Sequence, residues 1–160
     1  MTARLFCGID PGVSGAIGLV REDGGFSFVV DMPTLPTTTG RRQVDFATLA
    51  YILREQAPAF VLVERVGPRP GEGAVGAFSF GHTFGGILAV LATLGLPHDV
   101  VQPQTWKRRA GIPPGADKKA SIATCKRLLP DAGQYLARVK DDGRAESLLL
   151  SLQAWERMRA

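Results

Sequence analysis

Four acidic residues stand where an acid is awkward. Asp10 closes an apolar run, Leu5-Phe6-Cys7-Gly8-Ile9, and Glu64 closes another, Phe60-Val61-Leu62-Val63. Asp142 and Glu146 lead into Ser147-Leu148-Leu149-Leu150. A carboxylate at the end of a buried segment is costly to desolvate unless something offsets its charge. Several brought together repel one another, and hard divalent cations held through oxygen are the common remedy. The pattern points to a Mg²⁺ or Mn²⁺ site assembled from segments far apart in the chain. Positions 142 and 146 are i and i+4, so a helix places both on one face. Position 141 would point well away from 146. Asp141 or Asp142 could instead cap that helix, and the helix dipole favours acids in a first turn.

The flanking residues leave alternatives open. Asp10-Pro11-Gly12-Val13-Ser14-Gly15 reads as a metal-binding Asp followed by a tight turn that clears space for a phosphodiester. It also reads as the phosphate loop of an actin-like or sugar-kinase ATPase, or as a plain polar turn. Glu64 could be a solvated strand end paired with Arg65. Basic residues come in small groups, Arg41-Arg42, Lys107-Arg108-Arg109, Lys118-Lys119 and Lys126-Arg127, with Arg69 on a Gly-rich loop. Such groups are solvated faces or contacts for an anion. Lys107 and Lys118 are placed to approach the acids from loops. His82 and His98 lack metal-ligand spacing.

These residues need a scaffold. The chain has 160 residues, 45% apolar and 21% charged, with a net charge of +4. That fits one α/β domain over 1–160 with a full core, and suits an anionic partner. Segments 4–9, 16–21 and 26–32 read as antiparallel strands, with Asp23-Gly24-Gly25 as a hairpin turn. A polar loop spans 34–42, and apolar spacing predicts a helix over 44–56. Strand 59–63 follows, then the Gly-rich loop 67–76 and a long helix over 75–94. Gly81, Gly85 and Gly86 on that helix suggest close packing against another backbone. Strand 98–101 precedes helical segments 103–110, 118–129, 132–138 and 142–158. The first strand and strand 59–63 should be parallel neighbours, which brings Asp10 and Glu64 side by side at their carboxyl ends.

Cys7 and Cys125, with no CxxC, read as buried hydrophobes of a reducing compartment. The N-terminus lacks signal-peptide features, and the apolar stretch 85–96 is short and Gly-rich for a bilayer span. The expectation is a cytoplasmic protein without a membrane partner. A kinase would need a second phosphate loop and an adenosine pocket, for which 160 residues leave no room, so no nucleotide cofactor is expected.

The ordered motifs Gly8-Ile9-Asp10-Pro11-Gly12, Val61-Leu62-Val63-Glu64 and Ala145-Glu146-Ser147-Leu148-Leu149-Leu150 resemble RuvC-type Holliday junction resolvases. So does the middle region, Gln102-Pro103 to Lys107 and Gly111 to Lys118. The wording at Asp10, Met32-Pro33-Thr34 and 142–146 is most similar to the phage-borne or prophage-borne branch. The resemblance covers positions 4 to 155. It implies a ribonuclease-H-like fold, a five-stranded mixed sheet flanked by helices, and a homodimer that nicks opposed strands of a four-way DNA junction. It carries catalytic and metal-binding roles to Asp10, Glu64 and Glu146, with two Mg²⁺ or Mn²⁺ ions per site. The family's remaining acid lies three residues before the last one, where this chain has Gly143, and Asp142 is the nearest acid on the right face. Lys107 and Lys118 match lysines at the scissile region. Lys119, Arg41, Arg42 and Arg69 are further DNA-binding candidates. The family's aromatic wedge has no counterpart in 65–76, and Phe78 and Phe80 follow. Two rival readings are a branched-DNA or flap nuclease of the same fold, and a DNA-binding module without catalysis.

Overall fold

The computed structural model describes residues 3–67 and 70–159. Strands β1 (Leu5–Asp10), β2 (Ala16–Arg21) and β3 (Phe26–Asp31) form an antiparallel meander. Its β2–β3 turn uses Gly24 at φ +80°, a conformation open to glycine. β6 (Phe60–Glu64) pairs with β1 in parallel, and β7 (His98–Val101) pairs with β6 in parallel. The sheet order is β3-β2-β1-β6-β7. The expected five-stranded mixed sheet is present, with the most apolar strands, β1 and β6, at its centre.

The polar loop expected over 34–42 is instead a small ribbon. β4 (Thr34–Pro36) pairs antiparallel with β5 (Arg42–Val44). Strands of three residues are below what alternation can reveal, and Arg42 closes the ribbon by donating to Thr34 Oγ1 at 2.7 Å and to its carbonyl at 2.9 Å. Helix α1 therefore begins at Phe46, not Val44, and runs to Gln56. Asp45 caps it, its Oδ1 accepting from the N–H groups of Ala47 and Thr48, both at 3.1 Å. Helices α2 (Ala74–Thr93), α3 (Pro103–Arg109), α4 (Lys118–Leu128) and α5 (Asp142–Arg157) follow. The helix expected over 132–138 is a 3₁₀ turn, Pro130–Tyr135, and a second such turn, Val139–Asp141, leads into α5.

Two cores lie on opposite faces of the sheet. Cys7, Ile9, Ile17, Leu19, Val61 and Val63 pack towards α1 and α2. Phe6, Val20 and Leu62 pack towards α3, α4 and α5. Strand alternation decides which residues go where, so Asp10 falls on the face of Phe6 and Gly8, and Glu64 on the face of Leu62. That is the α5 face. A Cβ on Gly8 would lie 2.1 Å from the Ser147 carbonyl oxygen, and one on Gly18 2.8 Å from the Leu148 nitrogen. Both strands lack side chains where the α5 backbone crosses them.

The other face is looser. Only Thr83, Ile87 and Leu91 of α2 are buried. A Cβ on Gly81 or Gly85 would meet nothing within 4 Å, while one on Gly86 would strike the Phe46 ring at 2.2 Å. Of Gly81, Gly85 and Gly86, the glycines expected to pack against a backbone, Gly86 alone makes a close approach among the described residues, and to a ring, not a backbone. With 20 residues and an 18-residue window of mean hydropathy 1.6, α2 is long and apolar enough to cross a bilayer by length and composition, which the stretch 85–96 by itself did not indicate. Its buried residues dock it on the core of the α/β sheet.

Candidate metal centre

Asp10, Glu64 and Glu146 meet at the carboxyl ends of β1 and β6. One carboxylate oxygen from each lies within 4.8 Å of the others. β1 and β6 are in register through Ile9 and Val63, so the next residues along, Asp10 and Glu64, emerge together. Glu146 arrives from the first turns of α5, lowered onto β1 by the bare backbone at Gly8. Oxygen-only donors from three carboxylates suit a hard divalent cation.

The centre is electrostatically loaded. Burial, then the charges of Glu64, Glu146 and Asp142, push the Asp10 carboxyl well above the usual carboxylate range, against a smaller pull from Lys107. Lys107, at the end of α3, places its Nζ 2.9 Å from Glu146 Oε1. Burial opposes its charge, but Glu146 first, then Glu64 and Asp10, hold its ammonium above the ordinary lysine range. The lysine is a partial counter-ion to a centre with three carboxylates.

Asp142 stands outside this cluster of three. Its Oδ2 pairs with Lys118 Nζ at 3.0 Å. Position 143, where the resemblance to RuvC-type resolvases implied an acid, has no room for a side chain. A Cβ there would sit 2.7 Å from the Ser14 carbonyl oxygen and 3.2 Å from Asp10 Oδ2. The first turn of α5 thus presses its backbone on the turn after β1. Asp141 is occupied elsewhere. It is 2% exposed and accepts from the Arg138 backbone N–H at 2.8 Å and from its guanidinium at 2.6 Å. Although burial disfavours its charge, these Arg138 bonds hold its carboxyl below the usual range. Asp141 does not cap α5 with its side chain; it fastens the 3₁₀ turn that delivers the helix. Arg144 ties the same region to the sheet through Asp31, with Nε–Oδ1 at 2.6 Å and Nη2–Oδ2 at 2.9 Å.

Among the basic candidates, Lys107 and Lys118 are at the acids, and Lys119 is exposed one residue along α4. Arg41 and Arg42 lie at the β4–β5 ribbon, which leaves the sheet at Asp31, two strands across from Asp10 in register. Arg69 lies outside the described residues. A cavity of about 570 Å³ opens beside Glu146, between α3, the loop 111–117 and the start of α4, with Lys107, Arg108 and Lys118 among its lining. His82 stacks edge-on with Phe46, and His98 Nδ1 bonds the Leu96 carbonyl at 2.8 Å. Cys7 and Cys125 are buried free thiols, and burial pushes Cys125 up to about 12.

Two supporting residues escaped sequence reasoning. Trp106, fully buried, donates its indole N–H to Glu64 Oε2 at 2.5 Å. Ser121, on α4, donates to Glu146 Oε1 at 3.0 Å. The available signal for Trp106 was chemical: a buried indole needs an acceptor, and the apolar core offers few. Ser121 carried no such signal.

No protein-family model matches the chain. Over 86 residues, 54% of its length, it is 30% identical to the chloroplastic Holliday junction resolvase MOC1 of Chlamydomonas reinhardtii, and it spans 10% of that relative's length. Its structure is similar to that of T. thermophilus RuvC in complex with a Holliday junction substrate, with a TM-score of 0.67 and 20% identity over 97% of this chain and 96% of that one. A second Thermus thermophilus RuvC structure matches with a TM-score of 0.58 and 18% identity over the same shares. The chain therefore has the RuvC fold across nearly its whole length.

Proposed function

We propose that this chain is a metal-dependent endodeoxyribonuclease that resolves four-way (Holliday) DNA junctions by paired nicks, leaving 5′-phosphate and 3′-hydroxyl ends. The observation that carries this reading is the meeting of Asp10, Glu64 and Glu146 within 4.8 Å, in a chain with the RuvC fold. MOC1 is a Holliday junction resolvase, and the similar T. thermophilus RuvC structure is a complex with a Holliday junction substrate, which supports branched DNA as the substrate here.

Asp10, Glu64, Glu146 and Asp142 would hold Mg²⁺ or Mn²⁺, two ions per centre. Bound metal would supply an activated water and charge neutralisation at the leaving oxygen. The overall step is attack of water on phosphorus with cleavage of the P–O3′ bond, the 3′ oxygen leaving with a proton. The protein's own part is electrostatic. Lys107, held charged by Glu146, offsets negative charge that builds on the phosphoryl group. Lys118, Lys119, Arg41, Arg42 and Arg69 contact backbone phosphates, which position DNA without reading sequence. The cavity beside Glu146 takes up the strand next to the scissile bond.

Two opposed nicks need two centres, so the working form is a homodimer. The surface that supports it is α2, where Val75 and Phe78 are 67% and 78% exposed. The work is done in the cytoplasm, on DNA. Four-way, three-way and flap DNAs of matched sequence test the substrate. Four-way junctions should be nicked at least about tenfold faster than flaps, a modest discrimination of about 1.4 kcal/mol. Equal rates on all three would replace this reading with a branched-DNA nuclease of broader taste.

A further inference from the structure

We propose that Trp106 is a positioning residue that sets Glu64 and Lys107 together, so that one indole aligns two sides of the metal centre. The inference rests on the metal-nuclease reading above and names a residue that the acidic motifs do not include.

Trp106 lies on α3 and is fully buried. Its indole is a donor only, with one N–H, and that N–H goes to Glu64 Oε2 at 2.5 Å. Glu64 has a long side chain at a strand end, and a donor fixed in the core narrows the rotamers that its carboxylate can adopt. A carboxylate has about four lone-pair sites, so accepting one N–H leaves capacity for a cation. The ring's π face does a second task. Lys107 Nζ lies 5.2 Å from the Trp106 ring centroid and 2.9 Å from Glu146 Oε1, which joins the α3 residue to the acid on α5. The backbone of Trp106 is held as well, its carbonyl accepting from Gln153 Nε2 at 2.7 Å. Gln153 belongs to α5, the helix that bears Glu146. Through this residue the carboxylate on β6 and the carboxylate on α5 are referred to the same rigid point. Phenylalanine would fill the space yet remove the indole N–H from Glu64 Oε2. Groups that orient metal ligands in this way are worth tenfold or more in metal affinity.

Calorimetric titration of Mn²⁺ into metal-free wild type and Trp106→Phe tests the proposal. The variant should bind about tenfold more weakly with an unchanged circular dichroism spectrum. A wild type that binds no Mn²⁺ overturns the metal reading, and this inference with it. A wild type that binds, with a Trp106→Phe variant that binds equally well, overturns the role of the indole alone. A second measurement keeps Trp106 in place and so does not depend on the variant folding. The chain has two tryptophans, and Trp155→Phe leaves Trp106 as the sole indole. Its emission should shift saturably with Mg²⁺, and the shift should vanish when Glu64→Gln is added. Emission indifferent to saturating Mg²⁺ contradicts the proposal.

Discussion

The two faces of the sheet are built to different tolerances. Towards α5, the strands present bare backbone at Gly8 and Gly18, and a methyl group at either position would collide with the helix main chain. Almost all of the α5 residues from Ala145 to Ala154 are buried. Towards α2, three buried residues hold a helix of 20, and Val75 and Phe78 face outward. The tight face carries the acids, where a fraction of an ångström in carboxylate spacing decides whether a cation fits. The loose face carries apolar surface that a monomer has no internal use for. Precision is concentrated where chemistry is proposed, and stickiness where a partner is.

Breaking the tight face should have the largest effect. Gly8→Val places a branched side chain where even Cβ would be 2.1 Å from the Ser147 carbonyl, and neither backbone can yield. Urea unfolding should show a loss of about 4 kcal/mol or more, or no folded protein. On the loose face, Phe78→Asp should leave the fold intact and weaken self-association by about 100-fold, the scale of an apolar hot spot. Sedimentation at several concentrations reads this directly, and an unchanged dimer would remove α2 from the interface.

Asp10→Asn sharpens the comparison because its sign is opposite to that of an ordinary core substitution. The folded pKa of Asp10 lies well above its usual value, through burial and the neighbouring acids. The folded state thus prefers the protonated form, and metal-free protein loses stability as pH rises from the unfolded pKa through the folded one. At neutral pH the neutral amide should raise the stability of metal-free protein by about 1–2 kcal/mol, or roughly 3–8 °C in Tm. A calorimetric scan in chelator checks it. Gly81→Ala is the smallest change. Its Cβ meets nothing within 4 Å among the described residues, so the gain in helix propensity should add about 0.5–1 kcal/mol in dilute protein.

The legible parts of this molecule are those where pattern and burial agree. β1 and β6 are unbroken apolar runs ending in an acid, and α5 has an acid pair at helical spacing before a leucine run, so the strands, their pairing and the meeting of Asp10 with Glu64 followed from residue order. The β4–β5 ribbon did not, because three-residue strands containing Pro36 and the exposed Arg42 give no alternation. The competition between Asp141 and Asp142 could not be settled by spacing either. It turns on Arg138, whose guanidinium claims Asp141, a contact made in a 3₁₀ turn that no helical wheel anticipates. Gly143 reads as a missing acid in sequence; in space it is the point where α5 touches the Ser14 backbone. Trp106 was hidden because its significance is a single N–H directed at a residue 42 positions away.

The most direct test is nicking of a synthetic four-way junction with Mg²⁺ by wild type and Asp10→Asn, with junction binding measured in parallel. Wild type should release symmetric, ligatable nicks, and none in chelator. Asp10→Asn should bind the junction as well as wild type while cutting at least about 10³-fold more slowly, as expected when a group central to transition-state stabilisation is lost. Undiminished cutting by Asp10→Asn, or cutting that persists in chelator, would contradict a metal centre built on Asp10.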